Sequence, residues 1–166
     1  MDLQKAFDSI DWSFLLDILT VMKFPAQFIG WIKGCITHPR FSISINGGLV
    51  GYFKGARGVR QGDPLSPYLF VIVMNALSKF LDAAAMHGVF LYHPKCKKVH
   101  LTHLCFADDL LIFTKGDVES VIGVQKVLQL FYTYSGLQIN NAKCDMYYSS
   151  VSRENLMAIQ NLTGFR

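Results

Sequence analysis

The stretch Leu104–Phe113, LCFADDLLIF, holds two adjacent acids, Asp108 and Asp109, inside an otherwise apolar run. Either flank alone predicts a buried β-strand, and four residues on each side suit a hairpin with the acid pair at its turn. Two carboxylates about 4 Å apart repel by about 1 kcal/mol in water, and by about 4 kcal/mol at an effective dielectric constant of 20. An acid pair pressed against apolar strands therefore needs a cation, or must protonate one acid. A divalent metal ion is the simplest such cation. The alternative interpretation is an ordinary acidic hairpin turn that binds no metal.

The composition indicates one globular domain. The chain has 166 residues, of which 51% are hydrophobic and 17% are charged, which is enough to bury a core. Its longest apolar run, Tyr68–Met74, is too short to span a bilayer, so no membrane partner is expected. The four cysteines lack a CxxC pair, which favours reduced intracellular thiols. A net charge of +4 suits a polyanionic partner without establishing one.

Turn residues and apolar periodicity divide the chain into helices and strands. Helices are predicted from Asp8 or Asp11 to Met22, from Pro25 to His38, from Ser66 to Met86, from Val118 to Tyr134 and from Arg153 to Asn161. Strands are predicted at Met1–Leu3, at Phe41–Ile45 and Leu49–Phe53 around a turn, at the acid hairpin, at Leu137–Ile139 and at Met146–Tyr148. The expected fold class is α+β, with helices packed on one face of a small, mostly antiparallel sheet.

Two further segments carry residues suited to chemistry. Asp2 lies at a strand end and Phe7 follows five residues later, although a strand leading into a capped helix would use the same residues. The Gly-rich loop Arg57–Pro67 can bring backbone N–H groups close to a phosphate or a base. Arg60 and Gln61 add hydrogen-bonding side chains to that loop. The simpler interpretation of the same loop is a proline-stiffened connection that leads into the next helix.

A rival constellation suggests zinc. His93, Cys96, His100 and His103 fall within eleven positions but include a single thiol. The same segment holds three lysines, whose positive charge opposes the binding of a zinc ion: Lys95, Lys97 and Lys98. We interpret the segment as a basic surface connector, whose lysines either contact phosphates or are simply solvated.

Four motifs, in order along the chain, resemble the successive palm motifs of reverse transcriptases. They are Asp2-x-x-x-Ala6-Phe7-Asp8, the segment RQGDPLSPYLF at Arg60–Phe70, FADD at Phe106–Asp109, and SGLQIN-x-x-K at Ser135–Lys143. The sequence RQGDPLSPYLF is similar to the corresponding motif of the plant-type, non-LTR (LINE-like) retrotransposon group. The resemblance implies a polymerase palm at residues 1–150, without its fingers and thumb, and a short helical tail of the same domain at residues 151–166.

The resemblance also implies a metal site. Asp2 and Asp108 would ligate two Mg²⁺ ions, for which Mn²⁺ could substitute, and Asp109 would support them. In such a site two metals clamp the attacking 3′-hydroxyl and the leaving pyrophosphate. Lys143 would protonate the pyrophosphate, with a solvated surface lysine as the alternative.

Further roles implied by the resemblance concern the substrates, which are an RNA template, a DNA primer and dNTPs. Phe7 would be the gate that favours dNTPs over NTPs, with core packing as the alternative. Gln61 and Gly62 would contact the incoming nucleotide and the template backbone, and Arg60 would contact the template or a phosphate. A nuclear location is implied because chromosomal DNA primes the reaction in such elements.

The expected function is therefore that of an RNA-directed DNA polymerase from a retrotransposon. Fingers and thumb are expected in a longer polyprotein, so the chain alone is expected to bind Mg²⁺ weakly and to polymerise poorly. An RNA-dependent RNA polymerase is disfavoured by Phe7, and a group II intron maturase by the sequence Arg60–Asp63. A non-enzymatic relic or a domesticated nucleic-acid-binding module remains the other alternative, because intact motifs do not exclude it.

Overall fold

The computed structural model describes residues 1–165, within which helices and strands alternate in an α+β arrangement. The elements in chain order are α1 Ala6–Ser9, α2 Trp12–Val21, α3 Ala26–Thr37, β1 Arg40–Ile45, β2 Gly48–Lys54, α4 Ser66–Met86, β3 His103–Phe106, β4 Asp109–Ile112, α5 Val118–Ser135 and α6 Arg153–Thr163. Short 3₁₀ turns lie at Lys97–Val99 and Asn141–Lys143. All five predicted helices are present, and α4 has the predicted bounds.

Capping side chains set the starts of α2 and α5. Asp11 accepts a hydrogen bond from the Phe14 backbone N at 3.0 Å, so α2 begins at Trp12 rather than at the alternative cap, Asp8. Asp117 accepts one from the Ser120 backbone N at 2.8 Å. Such caps satisfy backbone donors that have no partner inside the helix.

Two antiparallel hairpins supply the regular strands. In the β1–β2 hairpin, Asn46 and Gly47 both have positive φ, at 50° and 83°, as a two-residue type I′ turn requires. In the β3–β4 hairpin, Phe106 pairs with Asp109 across a two-residue loop. Its first loop residue, Ala107, has φ 51°, which occurs in type II′ hairpins.

The sheet that begins with β3 and β4 continues through two segments outside the named strands. Asp2 forms an antiparallel bridge with Asp109, and Leu3 forms one with Ile139. The Asn140 backbone N donates to the Asp2 backbone O at 2.9 Å, which ties these segments together. The spatial order is therefore β3, β4, residues 1–3 and residues 138–140, and the strand end predicted at Met1–Leu3 is confirmed.

Helices cover one face of this sheet. Leu110 of β4 is buried, whereas Leu111, which points to the opposite face, is 47% exposed. On β3, His103 faces α4, with its Nε2 atom 2.8 Å from Ser78 Oγ. Helices α2, α4 and α5 pack on one another beneath the sheet and carry much of the core: Leu15, Leu19, Leu69, Val73, Leu77, Leu81, Val124 and Phe131. The predicted α+β class is confirmed.

Two strand predictions need correction. The acid hairpin is not buried: Asp108 and Asp109 are exposed, and Phe106 is 84% exposed. Because helices within residues 1–165 cover one face of the sheet and leave the other open, the prediction that apolar strands press on the acid pair was wrong, and burial gives no reason for a cation there. The segment Met146–Tyr148 forms no strand, since it makes no ladder with the sheet.

Helix α4 is long and apolar enough to cross a membrane, by length and composition alone, with a mean hydropathy of 1.6 over 18 residues. Its buried face includes Phe70, Leu77 and Leu81, which belong to the core. The core helix of a globular domain passes the same test, so the property is weak support for a membrane span.

Candidate active site

The sheet register brings two predicted acids face to face. The Met1 N atom donates to Leu110 O at 2.9 Å, and the Leu110 N atom donates to Met1 O at 3.0 Å. Met1 and Leu110 are therefore a hydrogen-bonded pair, and Asp2 and Asp109, the next residues along the ladder, form the adjacent pair directly opposite each other. Side chains in such a pair share one face of the sheet, with Cβ atoms about 4.5–5.5 Å apart. That face is the one that the helices leave open.

Asp108 lies beside this pair at the tip of the hairpin, as the second residue of the two-residue loop. Within residues 1–165, no three His, Cys, Asp or Glu side chains lie close enough together to hold a metal ion. The chain thus brings two carboxylates together across the ladder and places the third at the adjacent turn. Carboxylate oxygens are the ligands that Mg²⁺ and Mn²⁺ prefer. Because Mg²⁺ usually keeps several waters and takes substrate phosphate oxygens, one or two carboxylates suffice from the protein. The donor set therefore fits such an ion.

Lys143 reaches the same place from a distant part of the sequence. Its Nζ atom lies 3.4 Å from Asp2 Oδ2, and the Asn140 Nδ2 atom lies 3.5 Å from the same oxygen. The Lys143 side chain is 68% exposed, so this ion pair adds little to stability. The ion pair matters for position, because it places the Lys143 ammonium group beside Asp2, a predicted metal ligand.

Phe7, on α1, packs against α4. Its ring stacks on that of Phe70, with ring centroids 4.9 Å apart and an angle of 19° between the planes. The Phe7 backbone O accepts a hydrogen bond from Val59 N at 2.7 Å. The core-packing interpretation therefore has a direct contact behind it, while the gate role stays a prediction.

The Gly-rich loop is clamped to the segment that joins α1 and α2. Gly58 donates to Ile10 O at 2.7 Å, and its own O accepts from Trp12 Nε1 at 2.7 Å. Gly58 has φ 85°, and a Cβ there would lie 2.6 Å from the Asp8 backbone O. Only glycine fits this contact without a shift of the backbone.

Two of the three predicted nucleotide-contacting residues of this loop lie at a cleft of about 370 Å³. Arg60 and Gln61 line the cleft together with Trp12. Arg60 forms an ion pair with Asp63, and Asp63 also caps the turn into α4 by accepting from Leu65 N at 2.9 Å. Gly62 has φ 85° and open space on its Cβ side. The structure thus gathers Arg60, Gln61 and Gly62 on one loop, and their contacts with a nucleotide stay a prediction.

Residues 1–157 match the family model for reverse transcriptase (RNA-dependent DNA polymerase). The chain belongs to the reverse transcriptase family.

Curated relatives of this reverse transcriptase chain include proteins of retrotransposable elements. It is 31% identical over 144 residues to the Pol polyprotein of the type-2 element R2DM of Drosophila melanogaster, covering 87% of this chain and 13% of that protein. It is 28% identical over 143 residues to the uncharacterized 149 kDa protein of transposon TX1 of Xenopus laevis, covering 86% and 11%. An uncharacterized mitochondrial protein of Arabidopsis thaliana is 41% identical over 66 residues, covering 39% and 54%. The chain therefore spans 13% of the R2DM protein, and the predicted resemblance to non-LTR reverse transcriptases is confirmed.

Behind its acid hairpin, this reverse transcriptase chain carries a polar cluster that sequence reasoning missed. His103 Nδ1 lies 2.7 Å from Thr102 Oγ1, which donates to Asp82 Oδ1 at 2.7 Å, while Nε2 meets Ser78. Burial lowers the pKa of His103, and the nearby Asp82 partly opposes that shift. Burial also raises the pKa of the Cys105 thiol, which shares Ser78 as a neighbour. No sequence signal links these residues, which meet only when β3 packs on α4.

The same cluster bears on the zinc alternative. His103 turns toward α4, and within residues 1–165 no metal-binding group forms from the connector histidines and Cys96. Lys97 and Lys98 are exposed, as a basic surface connector requires.

Proposed function

We propose that this chain is the catalytic palm of an RNA-directed DNA polymerase from a non-LTR retrotransposon, adding dNTPs to a DNA primer on an RNA template. The observation that supports this best is the register that sets Asp2 directly opposite Asp109, on the open face of the sheet and beside Asp108. An open face with carboxylates leaves room for a duplex above the acids. Membership of the reverse transcriptase family supports the same conclusion.

In this proposal, Asp2, Asp108 and Asp109 hold two Mg²⁺ ions, or Mn²⁺ in their place. When bound, such ions lower the pKa of the attacking 3′-hydroxyl and offset the negative charge on the leaving pyrophosphate. The ladder itself contributes orientation, because it fixes Asp2 and Asp109 at one spacing on a rigid element.

Lys143 would donate a proton to the pyrophosphate. Its contact with Asp2 at 3.4 Å supports a place at the reacting phosphates. The same contact means that Lys143 competes with a metal ion for Asp2 until the substrate draws it away.

The nucleotide would lie between the acids and the Gly-rich loop. Gln61 and Gly62 would contact the incoming dNTP and the template backbone, and Arg60 would bind a phosphate after releasing Asp63. Phe7 would discriminate against a 2′-hydroxyl. Its stacking on Phe70 supports this role indirectly, because a rigid ring makes a sharper steric barrier than a mobile one.

The whole protein would be a longer polyprotein that supplies fingers and thumb. The 13% share of the R2DM protein that the chain spans is compatible with this. Within the chain, the helix in residues 151–166 packs on α5, which supports a tail of the same domain rather than a separate unit. We also propose a nuclear location, to be tested by imaging a tagged full-length protein.

Metal binding tests the acid site directly. Mn²⁺ titration of the purified chain, followed by electron paramagnetic resonance, should show weak binding that Asp2→Asn and Asp108→Asn each reduce. The matched control is Asp17→Asn, an exposed acid on α2 that should change nothing. Lys143→Met should strengthen Mn²⁺ binding several-fold by removing the competing cation. Equal affinities for all five proteins would contradict the proposed site.

Primer extension tests the reaction. On poly(rA)/oligo(dT), the chain alone should incorporate dTTP poorly, and Asp108→Asn should abolish incorporation while leaving RNA binding unchanged. Phe7→Val should raise the ratio of UTP to dTTP incorporation, whereas Phe24→Val, which breaks the stacked Phe24–Phe28 pair elsewhere, should not. Equal incorporation by wild type and Asp108→Asn would leave the non-enzymatic nucleic-acid-binding module as the better interpretation.

A further inference from the structure

The positive charge of the chain is concentrated in one part of the sequence. Between Asp17 and Asp63 there are 45 residues without Asp or Glu, and six of them are Lys or Arg: Lys23, Lys33, Arg40, Lys54, Arg57 and Arg60. The rest of the chain holds ten Lys and Arg against twelve Asp and Glu. The net charge of +4 therefore combines a segment of +6 with a remainder of −2.

The β1–β2 hairpin lies in the middle of this acid-free segment and places two cations together. Arg40 and Lys54 are directly opposite each other at the open end of the hairpin. Like charges at such positions repel and destabilise a hairpin. Within residues 1–165, no carboxylate lies within 4.0 Å of either side chain, so this repulsion has no partner inside the described fold. An external anion would relieve it.

The same hairpin carries exposed aromatic rings. The hairpin has a register shift between Phe53 and Val50, where Gly51 has φ 69°. Residues 52–54 follow Gly51 and are extended, so Tyr52 and Lys54, two residues apart, stand on one face, and Tyr52 is 72% exposed. On the other face, the rings of Phe41 and Phe53 lie 5.9 Å apart. Cations beside exposed aromatic rings are the combination that binds single-stranded nucleic acid, through phosphates and stacked bases.

We propose that the hairpin face formed by Arg40, Lys54 and Tyr52, here called the basic hairpin face, binds the phosphodiester backbone and bases of a single-stranded polynucleotide. In the proposed reaction this strand is the unpaired RNA template, and only its identity rests on the proposed function. Arg57, three residues after Lys54, lines the neighbouring cleft with Phe41 and leads from the hairpin to the Gly-rich loop. The strand would thus pass from the basic hairpin face toward Arg60.

Binding without nucleotides tests the proposal separately from catalysis. Fluorescence anisotropy of a labelled single-stranded RNA should show binding by the 166-residue chain that falls steeply with salt. The double variant Arg40→Gln/Lys54→Gln should lower the affinity about ten-fold, and should reduce the magnitude of the log K against log salt slope by about 1.4, at about 0.7 per phosphate contact. Tyr52→Ala should weaken binding by up to about ten-fold with the slope unchanged, because stacking releases no counterions.

The matched control removes the same charge elsewhere. Lys97 and Lys98 are exposed neighbours in the connector, so Lys97→Gln/Lys98→Gln should leave affinity and slope near the wild-type values. Circular dichroism should show both double variants folded, since all four side chains are exposed. Equal losses in the two double variants, or none in either, would overturn the proposal, as would no RNA binding by the wild-type chain at low salt.

Failure of the polymerase proposal would look different. Asp108→Asn should bind RNA as the wild type does, so loss of incorporation with unchanged binding concerns the acids alone. RNA binding that depends on Arg40 and Lys54 in a chain that never incorporates dNTPs would uphold the basic hairpin face and reject the polymerase.

Discussion

Gly58→Ala should be one of the most damaging single-methyl changes in the chain. Its φ of 85° costs an alanine about 1–2 kcal/mol. The added Cβ would meet the Asp8 backbone O at 2.6 Å, so the loop must retreat from the α1–α2 corner. Retreat breaks up to three hydrogen bonds, two made by Gly58 and one by Val59, each worth about 1 kcal/mol. The expected loss in the free energy of unfolding is about 3–5 kcal/mol.

Gly62→Ala is the matched control for this change. Gly62 has the same φ of 85°, but within residues 1–165 no atom outside Gly62 and its two chain neighbours lies within 4 Å of its Cβ position. It should lose about 1 kcal/mol, since the cost of the left-handed backbone is partly offset by the lower entropy of the unfolded chain. Urea denaturation followed by far-UV circular dichroism measures both, and tryptophan fluorescence in a Trp31→Phe background reports whether the bond from Trp12 to Gly58 persists. Equal losses in the two variants would refute the clamp.

The remaining predictions concern one partly buried histidine, one helix cap and two helical glycines. Burial lowers the pKa of His103 below its ordinary 6.5. The free energy of unfolding should therefore be unaffected by His103 above pH 6.5 and should fall as the pH drops below 6.5, because the unfolded chain takes up the proton first. In His103→Gln, the urea midpoint should change less between pH 7.5 and 5 than it does in the wild type. Asp117→Ala removes a helix cap and should cost about 1 kcal/mol at pH 7. Gly123→Ala would put a Cβ 2.0 Å from Val89 O and should cost several kcal/mol, whereas Gly30→Ala, with open space around it, should stabilise α3 by about 0.5–1 kcal/mol in the same assay.

The helices followed from the sequence because their signals are local. Asp11 and Asp117 cap the first turn of their own helices, and Gly136 ends α5 with φ 74°. The Asn46–Gly47 turn likewise predicted the β1–β2 hairpin, because both residues tolerate positive φ.

Burial of the strands did not follow from the sequence. The apolar flanks of the acid pair predicted a buried hairpin, yet no helix of residues 1–165 covers the face that holds Phe106 and Leu111. An apolar run shows that a strand has apolar residues on both faces, but it does not show whether a helix or another sheet packs on each face. Met146–Tyr148 failed for a related reason, since β propensity produces a strand only where a neighbour offers a free edge.

The candidate site divides in the same way. The identities and order of its acids were fixed by sequence alone, and with them the membership of the family. Their convergence was decided by the tertiary ladder, which brings Asp2 opposite Asp109 and lets Lys143 reach Asp2 across 141 positions. Pairing between segments so far apart depends on the closure of the whole chain, whereas a motif depends only on its own few residues. The family could therefore be predicted from the linear chain, whereas the pairing of Asp2 with Asp109 could not.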